Sequence, residues 1–357
     1  MQHLFFSQKI TAWYKTHKRD LPWRNIHNPY FIWLSEIILQ QTRVVQGMPY
    51  YLRFTETFPT VQDLAAADER DVLRLWQGLG YYSRARNLHT TAKMVVENYG
   101  GKFPNTYQEL LKLKGIGTYT AAAIASFAFG EKVAVLDGNV YRVLSRVFGE
   151  TTDVASNEAK KVFTKIAKTV LPNQDCDTHN QAIMEFGAIQ CTPSSPNCMF
   201  CPLAMECVAN ATGRVNTLPV KSKKLKVRER FFNYFILEQN HHFAMHERTQ
   251  KDVWSGMYDF YLKELLGNRD SLEDTILDDI FLNDLLKNAI IKRESIIYVH
   301  ILTHQKIQTK FWHIEIYPDF VVNLPSGFRW YSLNEVDDLP KSTLINNYLT
   351  SFIFPTE

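Results

Sequence analysis

The chain has 357 residues, 45% hydrophobic and 22% charged, with a formal net charge of +3. That length can hold two domains with separate cores. The apolar content excludes a disordered chain, and 15 Gly and 14 Pro are too few for low complexity or collagen. No apolar run approaches the roughly 20 residues of a membrane-spanning helix. MQHLFFSQKITAWY at the start lacks the basic and long apolar regions of a signal peptide, so a cytoplasmic protein is expected.

Residues 1–212 read as helical. Phe31, Leu34 and Ile38, and again Ala121, Ile124, Ala125 and Ala128, recur at three- and four-residue spacing. Gly130, Gly149 and Pro172-Asn173 punctuate the helices. Residues 107–129, YQELLKLKGIGTYTAAAIASFAF, read as a helix, a Gly115-Ile116-Gly117 turn and an alanine-rich helix. The two glycines let the backbone approach a ligand, and the second helix offers an N-terminus that favours an anion. Such a hairpin suits a DNA phosphate without reading sequence; a plain αα-turn is the alternative. LDGNV follows, with Asp137 beside Gly138 and Asn139.

Four of the five cysteines are clustered: Cys191, Cys198, Cys201 and Cys207, spaced C-x6-C-x2-C-x5-C. Four thiolates this close can enclose one soft-metal centre, zinc or an iron–sulfur cluster. Without a secretion signal, disulfides are the weaker alternative. Zinc favours two C-x2-C pairs and this set has one, so the spacing leans to iron–sulfur. Cys176 stands apart as an ordinary thiol.

Residues 211–230 form a basic bridge: Arg214, Lys221, Lys223, Lys224, Lys226, Arg228 and Arg230 against Glu229. Beyond it the texture changes. FFNYFILEQN, HHFAMHE, IIYVHILTH and KFWHIEIYP are rich in β-branched and aromatic residues and read as strands. TILDDIFLNDLLKNAI reads as one helix. The fold expected is a mainly α domain (1–212), a basic linker (213–229) and a smaller α+β domain (230–357), with no internal repeat. Net charges of +4, +6 and −7 for residues 1–212, 211–230 and 231–357 suggest a polyanion held by only part of the molecule; a merely solvated linker is the alternative.

LPWR (21–24), SEIILQQTRV (35–44), GLGYYSRARNL (78–88), LKGIGTYTA (113–121), LDGNV (136–140) and the Cys191–Cys207 loop occur together. In this combination the chain resembles the helix–hairpin–helix glycosylases with an iron–sulfur loop, and among them the MutY family. The resemblance is close over residues 1–212 and looser over 230–357. It implies a six-helix barrel over 29–136 and a cluster module built from 1–28 and 137–212, with double-stranded DNA across the groove between them. It implies a [4Fe–4S] cluster on the four cysteines, and a cation on hairpin carbonyls near Leu111, Leu113 and Ile116. It further implies a monomer that hydrolyses adenine from A opposite 8-oxoguanine or G in base excision repair, and no membrane association.

Cleaving an N-glycosidic bond needs a proton on the departing base and negative charge near the sugar as an oxocarbenium forms. Two carboxylates in different protonation states supply both. On a helix, Glu36 has Ile32, Trp33, Leu39 and Gln40 as neighbours, so desolvation is expected to raise its pKa. By resemblance Glu36 is the acid, Asp137 stabilises the oxocarbenium and Asn139 supports it. Tyr119 stands where the endonuclease III branch has an imine-forming lysine, and Lys112 and Lys114 lie before the turn. A monofunctional glycosylase is therefore expected, with the Tyr119 hydroxyl bonded near Glu36.

Flipping the target base requires a pocket and a wedge. The resemblance assigns Trp23, Arg24, Leu39, Val44 and Gln181 to the adenine pocket, Gln41 and Tyr81 to the base stack, and Thr42 to the opposite base. Gly115, Gly117, Arg84 and Arg86 are expected at phosphates, with plain surface charge as the alternative for the two arginines. The C-terminal domain resembles a Nudix fold. WSGMYDF (254–260) lacks the glycine pair expected there, and the G-x5-E-x7-R-E-x2-E-E box is absent, so the domain reads as non-hydrolytic. Leu302-Thr303-His304 takes the place of the family's Phe-Ser-His lesion-reading loop; Thr303 keeps a hydroxyl, His304 is retained and an aromatic wedge is lost. His241, His242 and His246 show no metal spacing. The competing readings are an endonuclease III-like lyase and a non-catalytic iron–sulfur DNA-binding protein.

Overall fold

The computed structural model describes residues 2–222, 227–267 and 271–354. The N-terminal sequence forms α1 (Gln2–His17), α2 (Pro29–Ile38), α3 (Val44–Thr57), α4 (Val61–Ala66), α5 (Glu69–Trp76) and α6 (Ser83–Tyr99). It continues with α7 (Tyr107–Leu110), α8 (Thr118–Phe129), α9 (Gly138–Phe148), α10 (Ala159–Val170) and α11 (Cys176–Glu185). A π-helical turn, Phe186–Gln190, extends α11, and α12 (Val208–Ala211) follows. The helix stops at Gly130 and Gly149 fall where the sequence placed them.

The C-terminal sequence forms β1 (Arg228–Gln239), β2 (His242–Glu247), β3 (Tyr258–Asp259) and β4 (Tyr261–Leu265), then α13 (Leu272–Ile276) and α14 (Ile280–Leu285). It ends with β5 (Ala289–Glu294), β6 (Tyr298–Ile301), β7 (Gln305–Ile316), β8 (Phe328–Ser332), α15 (Leu333–Asp338) and α16 (Thr343–Phe352). The sheet is mixed. β1 runs parallel to β7 over Arg228–Glu238 against Gln305–Glu315 and antiparallel to β2 and β4, while β5 and β6 both pair with β7. Its core includes Phe235, Leu237, Leu282, Trp312 and Ile314.

One sequence expectation needs correction. TILDDIFLNDLLKNAI is not a single helix: it breaks after Ile276, and the Asp279 side chain accepts the Leu282 N–H at 3.0 Å to start α14. A capping aspartate inside an apolar run restarts a helix as readily as it rides on one. Ala289 and Ile290 then leave the helix for β5.

The chain clusters into two compact units, one of residues 1–66 and 87–223, the other of 67–86 and 224–357. Residues 67–86 thus group with the sheet, and the division is not a simple cut at the basic bridge. Part of that bridge packs on the first unit: Val154 N–H donates to the Val220 carbonyl at 3.0 Å, and Arg146 Nε donates to that of Leu218 at 3.0 Å. Lys223, Lys224 and Lys226 lie outside the described residues.

In the first unit, α2 starts where the Asn28 side chain accepts the Tyr30 N–H at 2.9 Å, with Pro29 at its first position. Seven consecutive residues, Ile32 to Ile38, are buried. α8 packs against α2, and its run of alanines from Ala121 to Ala123 keeps its surface low. A second core joins α1, α9, α10 and α11 through Ile10, Leu144, Phe163, Ile183 and Phe186. These two packings carry Glu36, Tyr119, Asp137 and Gln181.

Candidate active site and cysteine loop

Glu36 lies on the buried run of α2 and Tyr119 is the second residue of α8, so close packing of the two helices brings them together. The Tyr119 O–H donates to Glu36 Oε2. Burial pushes the Glu36 carboxyl up to about 6, against the opposing effects of the Tyr119 bond and the Arg24 charge, with Asp137 pushing the same way. At pH 7 about one Glu36 in ten then carries a proton. Burial, with the Glu36 charge second, holds the Tyr119 hydroxyl well above its usual range, so it stays a neutral donor.

Asp137 is the N-cap of α9. Its Oδ1 accepts the Val140 N–H and its Oδ2 accepts Asn139 Nδ2, both at 2.7 Å. Burial raises its pKa, and those hydrogen bonds work against the rise. Asn139 Oδ1 in turn accepts Arg142 Nη2 at 2.8 Å, and Arg142 also donates to the carbonyls of Gly187 at 2.6 Å and Cys191 at 2.7 Å. One arginine thus ties the carboxylate's support to the first cysteine of the loop. A Cβ at Gly187 would meet Asn139 Cβ at 2.6 Å. Gly187→Ala should therefore displace Asn139 and slow base release more than it lowers Tm, a split that single-turnover rates and thermal melts would reveal.

The expected pocket residues divide. Trp23 is buried with its ring edge-on to Tyr51 at 4.9 Å. Arg24 Nη1 donates to Gln181 Oε1 at 3.0 Å and acts on Glu36 through its charge. Leu39 closes α2, Val44 opens α3, and Gln41 and Thr42 occupy the turn between them. Gln41 is exposed with φ 54°, in the left-handed region, which projects its side chain out of the turn. Sequence reasoning missed Glu185, one helical turn after Gln181. Its buried carboxylate takes two bonds from the Arg19 guanidinium, at 2.6 and 2.9 Å, and pairs with Arg24 at 3.5 Å. Burial opposes its ionisation, yet Arg19 and then Arg24 hold it below the usual carboxylate range.

Cys191, Cys198, Cys201 and Cys207 line one cavity with Arg146 and Phe186. Arg146 Nη1 donates to Cys191 Sγ at 3.4 Å and to the Thr192 carbonyl at 2.6 Å, which pins the start of the loop. Burial pushes the Cys201 thiol up to about 11. Among the described residues no group of three or more His, Cys, Asp or Glu has the geometry to hold a single metal ion. Four cysteine sulfurs around one cavity suit a soft-metal centre, zinc or iron–sulfur. Cys176 lies elsewhere, buried, its Sγ 3.5 Å from the Gly130 carbonyl.

At the hairpin, Gly115 has φ +77°, and a Cβ there would strike Asn87 Cβ at 2.7 Å. Gly117 is extended and caps α8; a Cβ on it would meet nothing within 4 Å, so its face is open. The Leu113 carbonyl already accepts the Ile116 N–H at 3.2 Å.

In the second unit, Thr303 and His304 form the exposed tip of the β6–β7 hairpin, closed by Leu302 N–H donating to the Gln305 carbonyl at 2.8 Å. The Tyr81 and Thr303 hydroxyls are hydrogen-bonded to each other. Tyr81 has φ 51°, a left-handed conformation that strains a bulky residue. Arg84 lies 5.1 Å over the Trp76 ring and 5.5 Å over the Tyr81 ring and donates to the Gly80 carbonyl at 3.2 Å; Arg86 Nη1 donates to the Ser255 carbonyl at 2.5 Å. Both guanidiniums, expected at phosphates, are engaged within the protein.

Two family models match the chain. Residues 34–171 match the HhH-GPD superfamily base excision DNA repair protein, and residues 233–351 match a NUDIX domain. Adenine DNA glycosylase of Buchnera aphidicola (subsp. Schizaphis graminum) is 36% identical over 256 residues, 71% of this chain and 74% of that protein. The chain belongs to the adenine DNA glycosylase family. Adenine DNA glycosylase of Homo sapiens is 43% identical over 213 residues, 57% of this chain and 39% of the longer human protein. Among solved structures, a thermostable thymine-DNA glycosylase aligns with TM-score 0.55 and 31% identity, covering 59% of this chain and 97% of that one. An endonuclease III–DNA complex, at TM-score 0.51 and 23% identity over the same 59%, shares the fold. This family member is a base excision repair glycosylase, and no helix among its described residues is long and apolar enough to cross a membrane.

Proposed function

We propose that the enzyme is a monofunctional glycosylase that hydrolyses adenine from duplex DNA, opposite 8-oxoguanine and opposite G, working as a cytoplasmic monomer. The observation that carries this reading is the buried Glu36 carboxyl, held at about 6 beside the Tyr119 hydroxyl and the Asp137 carboxylate. Protonated Glu36 delivers its proton to a ring nitrogen of the flipped base. The bond from the sugar C1′ to the base then breaks, and its electron pair leaves with the now neutral adenine. Asp137, ionised and fixed by Val140 and Asn139, stabilises the positive charge left on the sugar until water adds and returns a proton. Tyr119 has no amine to form an imine with the sugar, which supports hydrolysis without strand cleavage. Trp23, Arg24, Leu39, Val44 and Gln181 form the base pocket in this reading, Gln41 enters the stack, Thr42 meets the opposite base, and Gly115 and Gly117 face a phosphate.

Cys191, Cys198, Cys201 and Cys207 would hold a [4Fe–4S] cluster, which supplies a cross-link that stabilises the 191–207 loop. The second unit reads the opposite base without hydrolysing nucleotides. A hydroxyl has one proton and two lone pairs. Thr303 can therefore accept from Tyr81 and still donate to the 8-oxo carbonyl, so the wedge and the reader act as a pair. Thr303→Ala should lower the preference for 8-oxoguanine over G by about fivefold, one hydrogen bond's worth, measured as a ratio of single-turnover rates. An unchanged ratio removes Thr303 from lesion reading.

The test of the whole reading is adenine release from duplexes with A opposite 8-oxoguanine, G or C, with borohydride present in a parallel reaction. Release opposite the first two without a trapped covalent adduct is expected. An efficient adduct would favour a lyase, and intact binding without release would favour a non-catalytic protein.

A further inference from the structure

Gln181 on α11 holds its amide in an unusual state of saturation. Its Oε1 accepts two hydrogen bonds at 3.0 Å each, one from the Tyr14 hydroxyl on α1 and one from Arg24 Nη1. A guanidinium can only donate, so the amide atom facing Arg24 must be the oxygen. With both lone pairs of that oxygen occupied, the amide cannot turn over without leaving two donors unmatched. Among the described residues the Gln181 NH2 makes no hydrogen bond, so both its protons remain available. The two donors are themselves fixed. Trp13, next to Tyr14, packs edge-on to Phe186 at 4.9 Å, which sets α1 against the end of α11. Arg24 is paired with the buried Glu185.

We propose that Tyr14 is a positioning residue for base selection: with Arg24 it fixes Gln181 as a donor, so that the pocket presents an NH2 to a ring-nitrogen acceptor of adenine. An NH2 donor cannot satisfy the adenine exocyclic amine, which also donates; it can meet only an unprotonated ring nitrogen. Neither α1 nor Tyr14 is assigned a part in the chemistry by the proposed function. The inference rests on that reading's placement of Gln181 in the adenine pocket.

The test compares full-length wild type, Tyr14→Phe and Gln181→Ala on two duplexes, both opposite G. One carries 2′-fluoro-2′-deoxyadenosine, whose fluorine blocks oxocarbenium formation and so leaves the base in place. The other carries a tetrahydrofuran abasic site, with no base to contact. Tyr14→Phe is expected to weaken binding of the first by about fivefold, the scale of one hydrogen bond, and to leave the second unchanged. Equal weakening of both duplexes would mean a merely structural role, and no change in either would mean that the hydroxyl does not matter; each result overturns the proposal. If Gln181→Ala also leaves the base-dependent affinity intact, the pocket reading itself fails. If Gln181→Ala weakens it and Tyr14→Phe does not, only the positioning role fails.

Discussion

Replacing Glu36 by glutamine is expected to abolish adenine release, by about a thousandfold or more in a single-turnover assay, while mismatch binding and the fold survive. Glutamine retains an oxygen to accept the Tyr119 hydroxyl and carries no transferable acid proton. The same substitution should change stability in a pH-dependent way. Folding raises this carboxyl from the ordinary 4.5 to about 6, mainly by burial. The neutral form is therefore the one the fold accommodates: its contribution is whole below about pH 4.5 and is lost as pH rises through about 6. Glutamine does not ionise, so Glu36→Gln should match wild type near pH 4 and exceed it above pH 6, by about 2 kcal/mol for a shift of this size. Denaturant melts at pH 4.5 and 7.5 check this. A variant destabilised equally at both would show that Glu36 is buried for structural reasons unrelated to its proton.

Asp137→Asn should lose about a hundred- to a thousandfold in rate, the scale on which a single preorganised electrostatic partner acts, with little change in Tm. Asparagine caps a helix as well as aspartate does, so the bond to the Val140 N–H survives, while the charge opposite the oxocarbenium goes together with the bond that Oδ2 accepts from Asn139. Asp137→Ala removes cap and charge together and should cost about 1 kcal/mol of stability in addition. If Asp137→Asn kept its rate, the charge at that cap would have no part in the chemistry, and the residue would be a helix cap alone.

The burial of Glu36 was legible because the apolar helix face around it can be read from its spacing alone, and Asp137 was legible at a helix start from the short motif LDGNV. The bond between Tyr119 and Glu36 was expected from the motif resemblance, and the folded chain has it. What surrounds the pair was not legible. Glu185 looks like any acidic residue of an amphipathic helix, and only the folded chain shows Arg19 and Arg24 converging on it. Tyr14 carries no motif, and its hydroxyl finds Gln181 only because α1 lies along α11. In the second unit the aromatic strands β1, β2 and β7 were readable from composition. AIIKRE, which forms β5, was not: it sits at the end of an apparent helical run, and its strand state is set by pairing with β7. Arg84 and Arg86 were expected at phosphates, with plain surface charge as the alternative; in the folded chain Arg84 also donates to the Gly80 carbonyl and Arg86 to that of Ser255. The grouping of residues 67–86 with the sheet, which engages Arg86 on the Ser255 carbonyl, depends on contacts far apart in sequence.

The pH dependence of single-turnover adenine release by the wild-type enzyme bears most directly on the central claim. The acid form of Glu36 declines tenfold for each pH unit above its pKa, so the rate should fall with that slope above about pH 6. The Glu36→Gln variant should show no such limb. A wild-type rate that stayed level from pH 6 to pH 8.5, with chemistry rate-limiting, would contradict the assignment of Glu36 as the proton donor.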